Sequence, residues 1–503
     1  MTISMLGHRD ELGLAEGQLL VDGAWREGAK SEQWTHVHPA SGEEIGRFAV
    51  AGESDVDAAV TAARRAFDEG DWPRMRARER IAILHRYADL LREHADELRG
   101  LQALDNSVPL SFGGIYTTSV GAAADVFDHH AGWVDKIGGQ TLPPYQGGDH
   151  IAATFREPIG VVAAILPWNA PFLLFAQKLA PALGAGCTVV LKPSEYATFS
   201  VLRMVALLIE AGVPAGVVNV VTGPGATVGE ALINHPGVNK ISFTGSRAIG
   251  KHIVEASADG MKRVSLELGG KSPAIVFADA PNVGLAAMTT MGGLTLGLSG
   301  QGCVVQSRAL VQREVYEEFL AGAQGMAAGA TYGDPFDPGV LACPLINSRQ
   351  LERVSGYVDQ GTKDGARLVT GGERLDGEYA SGNFFAPTIF AEVDNTSVLA
   401  QEEVFGPVLA VVPFDTEEEA IRLANDTKYG LGATVFTSDV SRAFRASRAL
   451  RAGTVGINGF TLEPHLPFGG FNQSGLGREG GREAFEAYTE QKTVLLPLTE
   501  ELM

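Results

Sequence analysis

Between residues 159 and 268 the chain alternates short apolar runs, rich in Val and Ile, with stretches of helical spacing. The apolar runs cover 160–166, 188–191, 217–221, 240–243 and 264–268, and the helical stretches between them cover 172–183, 200–211, 228–234 and 249–257. A continuous apolar run of this length predicts a strand that is buried on both faces. Its alternation with helices predicts successive parallel βαβ units, in which ligands bind beyond the carboxyl ends of the strands.

The same two patterns extend over most of the chain. Apolar positions recur at spacings of three and four over 55–67 and 78–101, which predicts helices across 53–105. A second alternating region runs from about 270 to 470, with strands predicted at 274–277, 307–311, 408–414 and 434–436 and helices at 314–327 and 348–360. The Gly- and Pro-rich segment 136–150 predicts a linker or a protruding arm, and 493–496 predicts a last strand.

Length, charge and cysteine content narrow the classes of function. A chain of 503 residues is too long for one hydrophobic core, so two or three domains are expected. A net charge of −20 disfavours nucleic acids and anionic membranes as partners, and no apolar stretch reaches the ~20 residues that span a bilayer. Three widely spaced cysteines argue against a disulfide framework and a structural zinc site, so we expect no metal and a cytoplasmic location.

One of the three cysteines, Cys303, lies in the small-residue segment Leu298-Ser299-Gly300-Gln301-Gly302-Cys303. The glycines remove side-chain bulk, so another molecule can approach the sulfur, and a thiolate is a strong nucleophile. Most free cysteines are buried and inert, and for this sulfur alone that alternative is favoured. Cys187 and Cys343 lie in no comparable segment and are expected to be structural.

Polar side chains follow the predicted strands at their carboxyl ends. Asn169, held between Pro167 and Pro171, presents an amide donor that can stabilise an oxyanion, although it also suits a turn before a helix. Lys192 and Glu195 can hold the hydroxyls of a sugar; equally, Ser194 and Glu195 can cap a helix.

Two further glycine-containing segments are candidates for a nucleotide site. Phe243-Thr244-Gly245-Ser246 ends a strand and opens a helix, whose free N–H groups attract phosphate. Gly225 and Gly229 resemble the dinucleotide fingerprint but with one residue too many, so we interpret them as a turn that lines the cofactor site.

Two glutamates, Glu267 and Glu403, are also candidate functional residues. Glu267, in Glu267-Leu268-Gly269-Gly270-Lys271, follows an apolar strand, and desolvation there would raise its proton affinity, as suits a general base. Glu403 stands in Glu402-Glu403-Val404-Phe405-Gly406-Pro407, beside an aromatic ring. Alternatively, Glu267 is an ordinary charged residue at a strand end, and Glu403 lies in a solvated loop.

Taken in order, seven segments resemble the aldehyde dehydrogenase superfamily. They are Pro-Trp-Asn, Lys-Pro-Ser-Glu, Phe-Thr-Gly-Ser, Glu-Leu-Gly-Gly-Lys, Gly-Gln-x-Cys, Glu-Glu-x-Phe-Gly-Pro and the late Pro467-Phe468-Gly469-Gly470, and the resemblance spans about residues 20 to 495. It implies that Cys303 is the nucleophile, Glu267 the general base, and Asn169 an oxyanion donor together with the backbone N–H of Cys303. The reaction would pass through a thiohemiacetal and a thioester to a carboxylic acid.

The resemblance also implies a nicotinamide cofactor. The residues expected to hold it are Trp168, Lys192, Ser194, Glu195, Gly225, Gly229, Phe243, Gly245, Ser246, Leu268, Glu403 and Phe405. Glu195 matches a carboxylate that grips the adenosine ribose and would repel a 2′-phosphate, so NAD is expected over NADP. Arg247 is the one residue that argues against this preference, because a guanidinium near that site would attract the 2′-phosphate of NADP.

The fold implied is α/β, with two parallel-sheet domains (a Rossmann-like cofactor domain and a catalytic domain) and a small β oligomerisation arm. The boundaries expected are 1–138 and 159–266 for the cofactor domain, 267–475 for the catalytic domain, and 139–158 with 476–503 for the arm and tail. The arm implies a homodimer or homotetramer, and it would cover the exposed edge of the strand at 493–496.

The residues matched to the substrate pocket are Ala170, Leu173, Leu174, Gln177, Gly302, Val304, Phe460 and Phe468. They are mainly apolar, include no arginine to pair a carboxylate, and form no aromatic cage for a quaternary ammonium group. We therefore expect a medium-sized or bulky hydrophobic aldehyde. Branched Val305 and long Gln306 depart from the small residues that many relatives carry there.

The sequence is also compatible with two alternative functions. In a coenzyme A-acylating dehydrogenase the acyl group would pass to a thiol instead of water, which the presence of Glu267 disfavours. A non-catalytic member that binds nucleotide would be expected to lack Cys303, Glu267 or Asn169, and all three are present.

Overall fold

The computed structural model describes residues 3–112, 117–147 and 149–498. The strands are β1 Leu19–Val21, β2 Ala24–Arg26, β3 Gln33–Val37, β4 Glu44–Ala49, β5 Thr141–Leu142, β6 His150–Pro158, β7 Val161–Ile165, β8 Thr188–Lys192, β9 Val218–Val220, β10 Lys240–Thr244, β11 Arg263–Glu267, β12 Pro273–Val276, β13 Arg308–Gln312, β14 Arg367–Thr370, β15 Thr388–Ala391, β16 Val408–Phe414, β17 Gly432–Phe436, β18 Thr454–Ile457, β19 Gly475–Leu476 and β20 Thr489–Pro497. The helices are α1 Leu6–Glu11, α2 Glu53–Asp68, α3 Ala77–Glu93, α4 Ala95–Asn106, α5 Val120–Ala131, α6 Pro171–Ala185, α7 Phe199–Glu210, α8 Glu230–Asn234, α9 Arg247–Ser257, α10 Val283–Thr295, α11 Tyr316–Ala328, α12 Ser348–Lys363, α13 Val398–Gln401, α14 Glu417–Asn425, α15 Val440–Ala449 and α16 Glu483–Ala487.

The first sheet has eight strands in the order β19-β11-β10-β7-β8-β9-β1-β2. The five central strands, β11 to β9, are parallel, and antiparallel strands complete both edges. Strands β7, β8 and β10 are buried along their whole length. Apolar clusters cover both faces, one with α3, α5, α6 and α7 and the other with α2, α8 and α9. The predicted parallel βαβ units and α/β fold class are confirmed.

The second sheet has seven strands in the order β14-β15-β16-β13-β12-β17-β18. Strand β14 is antiparallel to β15, and the other neighbouring pairs of this sheet, as far as the structure describes it, are parallel. Helices α12, α14 and α15 pack on one face, and α10 and α11 pack on the other. The chain passes from the first sheet to the second between β11 and β12, so Glu267 stands at the junction of the two sheets.

A third sheet, β20-β6-β5, corresponds to the compositional break around residues 136–150. Strand β20 pairs with β6 in antiparallel register from Thr489 opposite Pro158 to Pro497 opposite His150. The last residues of the expected tail, 499–503, lie outside the described residues.

The segment expected to form the arm and C-terminal tail, 476–503, has two parts that pack in different places. Strand β19 extends the first sheet beside β11, and Phe485 and Tyr488 belong to the apolar cluster of that sheet. Burial of these two rings against α6 and its neighbours holds residues 475–488 on the first sheet, so the chain enters the arm only at Thr489.

Two helical predictions differ in detail from the structure. The stretch 78–101 is broken at His94, which leaves the helical region (ψ 18°) and separates α3 from α4. The helix predicted at 228–234 is preceded by a wide turn of five residues, Gly225–Gly229, that leads directly into α8. This turn brings the two glycines to the end of β9, at the carboxyl edge of the first sheet.

Candidate active site between the two sheets

Cys303 lies in the loop that joins α10 to β13, and it is half-buried. The loop turns at Ser299 and Gly300, both with positive φ. At Gly300 an added Cβ would stand 2.2 Å from the carbonyl oxygen of Gly406, so only glycine permits this close approach of two backbones. The turn fixes the position of the cysteine against the rest of the second sheet.

The side chain of Gln301 fastens this loop. Its Nε2 donates to the carbonyl of Pro344 at 3.0 Å, and its Oε1 accepts from the backbone N–H of Ile346 at 3.0 Å. Asn169, at the end of β7, donates its Nδ2 to the carbonyl oxygen of Gln301 at 2.9 Å. The loop of Cys303 is therefore tied to the first sheet through one hydrogen bond of the Asn169 amide.

Two cavities meet at Cys303. One, of about 270 Å³, is mainly apolar, and the other, of about 210 Å³, lies among residues that follow β7, β10 and β11. Cys303 and Asn169 line both of them. The sulfur thus stands where a molecule in the first cavity meets a molecule in the second.

Glu267 lines the second cavity and is only 3% exposed. Its Oε2 has no hydrogen-bond partner among the described residues. Burial, followed by the charge of Glu479, raises the pKa of this carboxyl well above its usual range, while Lys178 opposes the rise. Such a carboxylate has a high affinity for protons.

Lys178 and Glu479 were missed by sequence reasoning. The Nζ of Lys178, on α6, lies 2.5 Å from Oε1 of Glu479 and 3.4 Å from Oγ of Ser242, which also meets the hydroxyl of Tyr488 at 3.1 Å. The two charges affect the pKa of Glu267 in opposite senses: Glu479 raises it and Lys178 lowers it. No motif marks either residue, because their contact joins positions 301 apart in the chain.

Burial also raises the pKa of the Cys303 thiol, to about 12, and the nearby carboxylates of Glu403 and Glu267 add to the effect. The thiol is therefore protonated at neutral pH in the protein alone. The backbone N–H of Cys303 faces its own sulfur and opposes the rise in pKa.

A third cavity, of about 560 Å³, continues the second along the carboxyl edge of the first sheet. The two share Pro167, Trp168, Thr244, Gly245 and Arg349. Every residue expected to hold the cofactor lines one or both of them: Trp168, Lys192, Ser194, Glu195, Gly225, Gly229, Phe243, Gly245, Ser246, Leu268, Glu403 and Phe405. Together they form one channel from Glu195 to Cys303.

Side chains of α12, which sequence reasoning missed, support the end of this channel near Cys303. Gln350 donates to the carbonyls of Val404 and Phe405, and Arg353 donates to the carbonyl of Glu403. These bonds hold Phe405 at a positive φ of 58°, with its ring edge-on to Trp168 at 5.5 Å.

Glu403 extends its carboxylate across the glycine turn after β11. Its Oε1 accepts from the N–H of Gly270 at 3.1 Å, and a Cβ on Gly269 would stand 2.0 Å from its other oxygen. Burial raises the pKa of this carboxyl to about 7. Gly269 therefore makes room for Glu403, whereas Gly270 makes room for the carbonyl oxygen of Cys303, from which an added Cβ would stand 2.7 Å away.

Arg247 points away from the end of the channel at Glu195. Its guanidinium donates to Oε1 of Gln473 at 2.8 Å and lies 4.0 Å from Glu402. It lines neither cavity of the channel. Lys192, by contrast, lies 3.6 Å from Glu195 at that end.

The apolar cavity contains most of the residues expected for the substrate pocket. Ala170, Leu173, Leu174, Gln177, Gly302, Val304 and Phe468 line it. Phe460 does not, because its ring lies against Gly432 of β17, where an added Cβ would be 3.2 Å away. Leu462 occupies the wall instead, and the lining residues that sequence reasoning missed are Phe112, Thr117, Thr118, Gly292, Gly293, Leu296, Gly297, Leu298, Val305 and Leu462.

Neither a metal-binding cluster nor a membrane-spanning helix is present among the described residues. Among residues 3–112, 117–147 and 149–498, no group of three or more His, Cys, Asp or Glu side chains is placed to hold a metal ion. In the same ranges, no helix has the length and apolar character needed to cross a membrane.

Comparison with known proteins places the chain in a family. Residues 25–494 match the model of the aldehyde dehydrogenase family. Aldehyde dehydrogenase family 2 member C4 of Arabidopsis thaliana is 40% identical over 485 residues, which cover 96% of this chain and 95% of that protein. The mitochondrial benzaldehyde dehydrogenase of Antirrhinum majus is 42% identical over 483 residues, 96% of this chain and 89% of its own.

The fold is also that of a solved relative. The crystal structure of an NAD-dependent aldehyde dehydrogenase from Sinorhizobium meliloti superimposes with a TM-score of 0.94 at 38% identity, covering 99% of this chain and 98% of the other. The family match over nearly the whole chain, the relatives at about 40% identity and the shared fold agree: this chain belongs to the aldehyde dehydrogenase family.

Proposed function

We propose that this protein oxidises a medium-sized or bulky hydrophobic aldehyde to the carboxylic acid, with NAD as the oxidant and water as the acyl acceptor. The observation that carries the proposal is the position of Cys303, which lines both the apolar cavity and the channel along the first sheet. An aldehyde in the first and a nicotinamide ring in the second would both reach the sulfur. The apolar lining supports a hydrophobic substrate.

The channel fits a dinucleotide by the chemistry of its walls. Ser246 caps α9, whose first N–H groups suit a pyrophosphate, and the buried Oγ1 of Thr244 has no partner among the described residues. Glu195 at the far end suits the two hydroxyls of a ribose. The carboxylate would repel a 2′-phosphate, and Arg247 is engaged elsewhere, so the arrangement supports NAD over NADP.

In the first step the sulfur of Cys303 bonds to the aldehyde carbon, and the thiol proton passes to the carboxylate of Glu267. The raised pKa of Glu267 favours this transfer from a thiol whose own pKa is high. The carbonyl oxygen becomes an alkoxide. One N–H of Asn169 is held by Gln301, which leaves the other, with the backbone N–H of Cys303, to stabilise that charge.

The chemistry that bound NAD supplies is acceptance of a hydride from the adduct carbon. Cys303 then carries the acyl group as a thioester. Before hydrolysis, Glu267 releases to solvent the proton it took from Cys303 and becomes a carboxylate again. It then removes a proton from water, the hydroxide oxygen bonds to the acyl carbon, and the sulfur leaves as a thiolate as the carboxylic acid forms. The buried position of Glu267 beside the channel supports its use in this hydrolysis.

The arm supports a homo-oligomer. Strands β6 and β20 expose Ile151, Phe155, Val494, Leu495 and Leu496, each at least 39% accessible in the single chain. Apolar side chains on both faces of a thin three-stranded sheet are stable in water when another surface covers them. We propose that a second copy of the chain does so, in a homodimer or homotetramer. All three cysteines are free thiols, which supports a cytoplasmic location.

The test is an aldehyde panel assayed with NAD and with NADP, each with and without coenzyme A, with the acid or acyl product identified. We expect NADH and free acid from hydrophobic aldehydes, and a loss of about 10⁴-fold or more in Cys303→Ala with NAD binding retained. Strict dependence on coenzyme A would show that coenzyme A, and not water, accepts the acyl group. NAD binding without oxidation of any aldehyde would favour a non-catalytic member, and wild-type turnover in Cys303→Ala would overturn the mechanism.

A further inference from the structure

The amide of Gln177 is a polar group on a mainly apolar wall of the cavity. Ala170, Leu173, Leu174 and Gln177 follow one another at helical spacing on the face of α6 that lines the cavity. Gln177 is 6% exposed, and its buried Oε1 has no hydrogen-bond partner among the described residues. A buried amide without a partner is destabilising, so its presence on this wall points to a ligand that supplies the partner.

The rest of the cavity restricts what that partner can be. No charged side chain of the described residues lines it, so a carboxylate or an ammonium group would have no counterion there. The hydroxyl of Thr118 donates to the carbonyl of Phe112 at 2.8 Å, and the amide of Asn169 is bound to Gln301. A neutral hydroxyl fits the amide of Gln177, because it can donate to the oxygen or accept from the nitrogen.

The position of Gln177 along α6 determines how far the hydroxyl lies from the aldehyde carbon of the substrate. Seven residues of helix separate Ala170 from Gln177, a rise of roughly 10 Å. A helical side chain leans toward the N-terminus, so the amide reaches about one turn back. It therefore lies roughly 5 Å along the axis from the N-terminal end of α6, which Asn169 directly precedes. A single ring between the aldehyde carbon and the hydroxyl spans such a distance.

Helix α10 provides room for a ring. Gly292 lines the cavity from within this helix, and an added Cβ there would meet no atom within 4 Å. Glycine in a helix interior is unfavourable relative to alanine, so the empty space is not required by the helix itself. The neighbouring Gly293 also lines the cavity.

We propose that the substrate is a cyclic or aromatic aldehyde that carries a neutral hydroxyl on the side of the ring away from the aldehyde, held by the amide of Gln177. The inference rests on the proposed function, since it identifies the substrate class of that reaction. It makes Gln177 a specificity residue, which touches the substrate but not the reacting carbon.

The test compares 4-hydroxybenzaldehyde, 4-methylbenzaldehyde and 4-carboxybenzaldehyde by kcat/KM in the wild type and in Gln177→Met, which keeps the length of the side chain without its amide. We expect the wild type to prefer the hydroxyl compound over the methyl compound, and the preference to fall about 2- to 10-fold in Gln177→Met. The carboxylate should be the poorest substrate. Gln324→Met, on the exposed part of α11, is the matched control and should leave the ratio unchanged.

The wild-type ratio keeps the inference testable if Gln177→Met does not fold. Equal kcat/KM for the hydroxyl and methyl compounds, or a ratio that is unchanged in Gln177→Met, would overturn it while leaving the proposed function intact. Failure of the protein to oxidise any of the three aldehydes, or any other, would instead count against the proposed function.

A second variant tests the ring. Gly292→Leu should lower kcat/KM for the aromatic aldehydes at least several-fold more than for propanal, because the added side chain enters the cavity. Gly325→Leu places the same change in α11, at a glycine that also has nothing within 4 Å and does not line the cavity. Equal effects of Gly292→Leu on propanal and on the aromatic aldehydes would contradict a ring at this position.

Discussion

The Nζ of Lys178 lies 2.5 Å from Oε1 of Glu479, and the two side chains are 0% and 3% exposed. A buried ion pair of this kind holds both charges in place because neither can be left alone at low cost. Both charges also affect the pKa of Glu267, which burial raises most: Glu479 raises it further and Lys178 lowers it. Burial is the main cause of the high proton affinity of the proposed base, and the ion pair adjusts it.

Glu479→Gln should shift the acidic limb of kcat/KM to lower pH by about one unit, because the lysine is then unopposed and Glu267 ionises more readily. Lys178→Met should shift it to higher pH, since the negative charge remains. The measurement is the pH dependence of kcat/KM for one aldehyde. Either single variant should also lose about 3 kcal/mol of stability, and the double variant should lose less than the sum. Shifts of the same sign in both variants would contradict this arrangement.

Glu267→Gln should slow both steps in which Glu267 takes a proton, because an amide cannot accept one. Hydrolysis of the thioester should be slowed more than its formation, since water is a weaker acid than the Cys303 thiol. We expect a burst of about one NADH per active site, then steady turnover reduced about 10²- to 10⁴-fold. Rapid mixing detects the burst, and mass spectrometry detects the acyl group on Cys303. A steady rate without a burst, together with unmodified Cys303, would argue that hydrolysis is not the step that needs Glu267.

Cys303 should react slowly with iodoacetamide at neutral pH in the protein without cofactor. Burial and the neighbouring carboxylates raise its pKa to about 12, so the thiolate fraction should rise about tenfold per pH unit up to that value. Site-resolved mass spectrometry between pH 7 and 10 gives the rate, with N-acetylcysteine as the control that levels off near its ordinary pKa. A plateau of the Cys303 rate below pH 9 would show that the thiol ionises more easily than its surroundings indicate.

Glu195→Gln should increase the NADP/NAD ratio of kcat/KM by about tenfold or more, because the carboxylate no longer repels a 2′-phosphate. Glu230→Gln is the matched control, since Glu230 lines the same channel but is bound to Nε2 of His252 at 2.8 Å. Steady-state kinetics with both cofactors measures the change. An equal shift in the two variants would mean that net charge, and not the position of Glu195, decides cofactor choice.

The double substitution Val494→Lys and Leu496→Lys should dissociate the proposed oligomer. The two side chains share one face of β20, and Leu496 stands opposite Ile151 of β6. Light scattering at several protein concentrations gives the mass. Thr493→Lys with Leu495→Lys tests the other face of the same strand, and retention of the wild-type mass in both double variants would exclude the arm as the interface.

Much of the first sheet could be predicted because strand and helix patterns are local properties of the chain. The runs at 160–166, 188–191 and 240–243 became β7, β8 and β10, since a strand covered on both faces needs apolar side chains throughout. The carboxyl ends of those strands then met at one edge, as parallel topology requires. The segments after them therefore came together as the sequence had indicated.

The tertiary structure decided what depends on contacts between distant residues. The sequence could name Cys303, Glu267 and Asn169, but it contained no sign that Gln301 would fasten the cysteine loop or that Lys178 would meet Glu479. It placed Phe460 in the apolar cavity, where Leu462 stands, because a loop can keep its spacing and still present a different side chain. The protonation states of Cys303 and Glu267 also could not be predicted from the sequence. Their pKa values depend on how far the folded chain removes water from each group and on which charges lie nearby.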